Sequence, residues 1–188
     1  MSTSSGIRRF YRDRAELDRI HENLKLTRCP HCGLTGHLIF NGKTYGYRDD
    51  SDLPQMRRQR VICSNRKAAA AGCGKSHTLF AADTVPGLQV LTKTLWLFAS
   101  LLLTGLGAYA AFRQLSADFH CRAASRWREK FRLAQSYWRV ALCRDCIPLE
   151  NPADSCPLRS SLSLFPLYFP TCENPFTAYQ ESFHRAVC

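Results

Sequence analysis

The sequence predicts an α+β protein: a small β ribbon built around cysteines, then an α-helical domain of helix-turn-helix type, then an irregular Pro-rich tail. Three observations carry that prediction. Two cysteine pairs, Cys29–Cys32 and Cys63–Cys73, enclose a stretch rich in glycine and aromatic residues. A run of nineteen residues without a charge, Thr94 to Phe112, leads into an arginine-bearing amphipathic segment. Beyond residue 144 prolines recur and acids outnumber bases. The domain boundaries that follow are 1–28, an N-terminal basic helix or arm; 29–84, the ribbon; 88–143, the helical domain; and 144–188, the tail with one short helix near Pro175 to Ala186.

Bulk composition narrows the function. The chain has 188 residues, with 26 Lys and Arg against 15 Asp and Glu, a net charge of +11. A balance that basic points first to nucleic acid and second to an anionic membrane. Arginine dominates the excess, and its planar fork suits phosphates and guanine edges. Ten cysteines would fit a secreted disulfide scaffold, but the start, MSTSSGIRRFYRDRAELDRI, has no apolar core segment. The expectation is therefore a cytoplasmic, nucleoid-associated protein whose clustered thiols bind metal.

In chain order, Leu17, Ile20 and Leu24 recur at helical spacing among charges, which predicts a helix from about Arg12 to Leu26. Its interleaved acids favour packing on the next domain over a phosphate-binding arm. HLIFNGKTYGYRD predicts two short strands around an Asn41-Gly42 turn. MRRQRVIC predicts a further strand ending at Cys63, and AADTVPGLQV a linker. Thr94 to Phe112 has the length of a membrane span. Gly105 and Gly107 within it favour a buried helix, a turn and a second short helix, about Leu88–Leu103 and Ala108–Leu115. The next helix carries Ala124, Trp127, Phe131, Ala134, Trp138 and Ala141 at 3-4-3-4-3 spacing, an apolar stripe for the core.

The cysteine spacing carries the most chemistry. Cys29-x2-Cys32 is a tight knuckle whose two sulfurs can approach one ion. Cys63 and Cys73 supply the other pair about thirty residues on, and a tetrahedral Zn2+ takes four such ligands. The second knuckle holds seven residues beyond the usual two, an insert that adds about 1 kcal/mol of loop closure. Zinc contributes on the order of 10 kcal/mol to folding, which outweighs it. His31, His37 and His77 are alternative ligands. Residues 53–80 contain no Glu to act as a base, so one structural ion is expected, not a catalytic one. Cys121, Cys143, Cys146, Cys156, Cys172 and Cys188 are expected to be free thiols.

In a helix-turn-helix, the last helix enters the major groove with its N-terminal residues on base edges. That nominates Arg122, Ser125, Arg126 and Arg128, with Arg113 and Lys130 on phosphates. Arg57, Arg58, Arg60, Arg66 and Lys67 extend the basic surface onto the ribbon.

CPHCG, RRQRVICSNR and GCGKSH, followed by TLWLFASLLLTGLGAYAAFRQL and RAASRWREKF, resemble the zinc-ribbon plus helix-turn-helix DNA-binding proteins of bacterial mobile elements. The likeness covers about residues 26–142 and is to the N-terminal part of insertion-sequence transposases. It implies Cys29, Cys32, Cys63 and Cys73 as zinc ligands and binding to element ends or a target site. The long second knuckle departs from the pattern, and His77 stands where an aromatic often follows the last cysteine. The residues after Cys143 are too few for an RNase H-like core with three spaced carboxylates. The expectation is thus an accessory factor or regulator of transposition or recombination, not an enzyme. Its partners would be double-stranded DNA and a recombinase or transposase subunit, with a homodimer common among such binders and no membrane.

Two other readings stand beside it. An adaptor would bind a recombinase or nuclease through the tail aromatics of PLYFPTCENPFTAYQ. An RNA-binding ribbon would stack unpaired bases on Phe40, Tyr45 and Tyr47 near Arg57, Arg58 and Arg60. No Ser/His/Asp set, carboxylate pair, Walker loop or dinucleotide fingerprint supports an enzyme.

Overall fold

The computed structural model describes residues 9–66, 71–115, 122–143 and 156–188. Lys67, the SADFH turn, Cys121 and Cys146 lie outside them. The chain divides between Thr84 and Val85 into two compact units.

The first unit holds β1 (Phe10–Tyr11), α1 (Arg14–Asn23), β2 (Leu38–Arg48), β3 (Ser51–Cys63) and β4 (Ser76–Ala81). They form one mixed sheet in the order β1-β4-β3-β2, with β1 parallel to β4 and the other pairs antiparallel. Alternation builds β3: Gln59, Val61 and Cys63 turn inward while Arg58 and Arg60 stay exposed. Leu38, Val61, Leu79 and Cys63 join Leu17 and Leu24 in a small core. α1 is therefore a packing helix, as its diluted charge suggested. Asp13 caps it by accepting the Glu16 N–H at 2.8 Å, and Glu16 accepts the Arg12 N–H at 2.7 Å. The parallel β1 joins this region to the sheet, a pairing that two residues of sequence do not reveal.

One turn lies elsewhere than expected. Asn41-Gly42 does not end a strand: β2 runs through it, and the hairpin reverses at Asp49-Asp50, where Arg48 pairs with Ser51. The register shifts between Phe40 and Lys43, and Gly42 sits there at φ +90°. Its left-handed backbone serves a bulge within the strand, a conformation open to glycine for the same steric reason as a turn.

The second unit is helical: α2 (Thr92–Leu103), α3 (Ala108–Arg113), α4 (Arg122–Leu142), α5 (Pro157–Leu162), α6 (Leu164–Tyr168) and α7 (Pro175–Phe183). The stripe of α4 is buried as the spacing predicts, with Leu142 fully buried and Ala141 only half-buried. Phe98 of α2 meets Trp127 edge-on at 5.4 Å. Thr94–Phe112 divides into α2 and α3, and no helix among the described residues is long and apolar enough to cross a membrane.

The tail departs most from expectation. Besides the expected short helix, present as α7, its described part makes two more, and the three complete the core of this unit, where Leu162, Phe165, Phe176, Tyr179 and Val187 are all fully buried. Pro157 and Pro175 occupy the first turn of α5 and α7. There the missing N–H has no intrahelical partner to lose, so proline starts a helix rather than preventing one. Asn174 caps α7 by accepting the Thr177 N–H at 3.3 Å.

Candidate metal centre

The sulfurs of Cys29, Cys32, Cys63 and Cys73 all lie within 4.8 Å of one another. Two contacts cross between the knuckles at 3.7 Å, Cys29 to Cys73 and Cys32 to Cys63. A tetrahedron with arms of about 2.3 Å, the length of a zinc–thiolate bond, has edges of about 3.8 Å. The spacing fits four ligands on one ion and is far too long for a disulfide at about 2.05 Å. The donor set is all sulfur, which selects soft or borderline cations over Mg2+ or Ca2+. Cys29 and Cys63 are buried, Cys32 and Cys73 exposed, so the cluster sits at the surface with two ligands rooted in the core.

The two knuckles are copies of each other in hydrogen bonding, despite their unequal lengths. In the first, the Cys29 N–H donates to Leu34 O at 2.9 Å and the Gly33 N–H to Cys29 O at 2.8 Å. In the second, the Cys63 N–H donates to Lys75 O at 2.9 Å and the Gly74 N–H to Cys63 O at 2.9 Å. Gly33 and Gly74 both hold positive φ, +73° and +72°. The second knuckle is pinched at its base, where the Gly72 N–H donates to Ser64 O at 3.0 Å. Ser64 and Gly72 thus take the places of the two middle residues of a Cys-x2-Cys knuckle, and Asn65, Arg66 and Ala71 lie exposed outside it. Gly72 is required there: a Cβ would fall 2.5 Å from Ser64 O and 2.6 Å from the Cys63 sulfur.

Two outcomes follow from this geometry. Gly72→Ala should weaken metal binding on the order of tenfold or more, because it displaces a ligand and its supporting backbone. Deleting residues 65–71 should leave metal stoichiometry at the wild-type value, since it restores the short knuckle. Metal titration by competition with a chromophoric chelator checks both; a deletion that abolishes binding contradicts the pinched-knuckle reading.

The thiols differ in acidity. The Leu34 backbone N–H draws the Cys32 thiol down to about 7, with smaller help from its neighbouring thiols. Burial pushes Cys63 up to about 12. His31 and His77 are not in the four-ligand set. Their rings stack on each other at 4.7 Å, and burial, then His31, lowers the His77 pKa. His37 accepts the Ser64 N–H through its carbonyl at 2.7 Å. Among the described residues Cys143, Cys156, Cys172 and Cys188 are free and join no metal-binding group.

The basic residues fall into distinct places. Arg122, Ser125 and Arg126 are exposed near the start of α4, turned away from its buried stripe. Arg128 faces a different flank: with Ser125, Arg132 and Gln135 it lines a groove of about 610 Å3 against Cys156 and Pro157. Lys130 is half-buried, and Arg113 is exposed at the end of α3. Two arginines farther along α4 make bonds within the unit. Arg132 makes a two-pronged bond to Glu129 at 2.8 Å, and Arg139 donates to Ser161 Oγ at 2.8 Å and Pro157 O at 3.0 Å. In the sheet unit Arg58, Arg60 and Arg66 are exposed. Arg57 is half-buried and crosses Gly46, where a Cβ would meet its Cδ at 2.8 Å.

Comparison with known protein families, with curated proteins and with solved structures finds no match.

Proposed function

We propose that this is a zinc-dependent DNA-binding protein that acts as an accessory factor or regulator of transposition or recombination. Cys29, Cys32, Cys63 and Cys73 hold one structural Zn2+, which fixes the two knuckles of a zinc ribbon. All four positions around such an ion are taken by thiolates, so none is open to water or substrate, and the role is structural. The ion supplies folding energy; the residues of the chain supply recognition.

The observation that carries the DNA reading is the exposed cluster Arg122, Ser125 and Arg126 at the N-terminal end of α4, opposite its buried stripe. A helix so placed in a helix-turn-helix offers those side chains to base edges, with Arg113 on phosphate. The +11 charge favours the same partner through release of counterions. The adaptor reading draws on the aromatics of residues 166–180, of which Phe176 and Tyr179 are fully buried and Tyr168 and Phe169 half-buried, so it has less exposed ring surface to offer than the arginines of α4 have exposed charge.

Arg126→Glu should reduce affinity for duplex DNA about tenfold or more, the scale of one good base contact. Zinc content and helicity should not change, since Arg126 is exposed. Electrophoretic mobility shift with a set of duplexes reads this, and unchanged affinity would remove α4 as the reading element.

A further inference from the structure

Within the first unit a cleft of about 520 Å3 opens between α1 and the β2–β3 hairpin. Arg14, Asp18 and His21 line it from α1, and Lys43 and Tyr45 from β2. Gln59 of β3 lines it as well and is only 1% exposed. Its Nε2 donates to Gly42 O at 2.6 Å and Arg60 O at 2.9 Å, which fixes the amide orientation. Its Oε1 is left buried with no donor. An orphaned buried acceptor is costly, and such groups call for an explanation in the ligand chemistry of a site.

The rest of the cleft says which chemistry. Flat rings line it: His21 and Phe40 stack at 4.4 Å with planes 15° apart, and Tyr45 is 59% exposed. Lys43 and Arg14 bring exposed positive charge, Arg14 held by Asp18 at 3.0 Å. A carboxylate ligand has no donor for Gln59. An aliphatic ligand makes no use of the rings. A nucleobase has a π-face for the rings, an N–H for the oxygen and a phosphate tether for the cations. In a duplex both faces of a base are covered by its stacked neighbours, so only an unpaired or extruded base can lie against these rings.

We propose that this cleft binds one unpaired nucleobase of a DNA strand. The base stacks against Tyr45 and the His21–Phe40 pair, gives an N–H to Gln59 Oε1, and leaves its flanking phosphates to Lys43 and Arg14. This rests on the DNA-binding reading and adds to it: the helical unit takes duplex, while the sheet unit takes a strand end or an extruded base.

The test uses the zinc-loaded full chain and fluorescence anisotropy. Four probes share one duplex: blunt, with a three-thymine 3′ tail, with a three-residue abasic tail, and with an N3-methylthymine tail. The tailed probes carry equal phosphate. The thymine tail should bind about tenfold tighter than the abasic tail. N3-methylation, which removes the donor and keeps the ring, should lose most of that gain, and so should Tyr45→Ala on an exposed strand position. Equal binding of thymine and abasic tails, or a preference that survives both changes, would overturn the proposal. Absence of binding to the blunt duplex would overturn the duplex reading instead, and the tail comparison would still stand or fall by itself.

Discussion

Replacing Cys63 with serine, or stripping the metal with a chelator, is expected to unfold the sheet unit and leave the helical unit folded. The core of the first unit is small, and its inward residues Leu38, Val61, Leu79, Leu17 and Leu24 surround a buried Cys63. A core of that size gives little stability by itself. A structural zinc contributes on the order of 10 kcal/mol, comparable to the whole margin of a typical domain. Serine removes one of four ligands and leaves a hydroxyl at a fully buried position. Hydrogen exchange read by mass spectrometry checks the outcome: amides of residues 38–81 should lose protection, while those of α2 and α4 keep it. Loss in both units together, or in neither, contradicts the assignment. Acid should act in the same direction as chelation. The Cys63 thiol, held up at about 12, is protonated at neutral pH without metal, so binding displaces its proton and affinity falls as pH falls.

The second large effect is expected at Trp138. Its side chain is fully buried, its ring meets Phe131 at 5.5 Å and Phe165 at 5.2 Å, and its Nε1–H donates to Val187 O at 2.8 Å. Trp138→Ala should destabilise the helical unit by about 3–5 kcal/mol through the cavity alone. It also leaves the Val187 carbonyl without its donor, which adds about 1–3 kcal/mol if no water replaces it. Trp138→Phe should cost less, since a phenyl ring refills most of the site while the bond to Val187 O is lost. Denaturant unfolding followed by far-ultraviolet circular dichroism separates the two, with zinc content constant in both. The same contacts predict that a chain ending at residue 155 loses the helical unit, because Phe165, Phe176 and Val187 leave the core with the tail. A truncated chain that retains wild-type helicity would contradict the placement of α5–α7.

Much of this was legible in the sequence for physical reasons that can be named. The α4 stripe is a strong signal because six aromatic and small apolar residues at 3-4 spacing fit one helix face and no strand. The four cysteines are legible because two pairs thirty residues apart, with strand-forming residues between, leave few alternatives. The pinch at Ser64 and Gly72 was not, since it rests on one backbone hydrogen bond. Gly72 beside Cys73 was its only trace. Asn41-Gly42 misled because a left-handed glycine serves a bulge as well as a turn. In the tail the helix at Pro175 was legible, but the one at Pro157 was not, because a proline in a Pro-rich stretch marks a helix start as readily as a break. Gln59 was invisible as a site residue: an alternating strand marks which side chains turn inward, not which polar atom is left without a partner.

The claim that most needs testing is that this protein reads DNA sequence through α4. Selection from a pool of randomised duplex DNA on the zinc-loaded protein, at low and at raised salt, tests it most directly, with Arg126→Glu run in parallel. The account predicts enrichment of one motif that survives raised salt, because base contacts persist when counterion release weakens. It predicts loss of that motif for Arg126→Glu. Binding that falls steeply with salt and enriches no motif would contradict it, and would leave phosphate contact as the whole of the interaction.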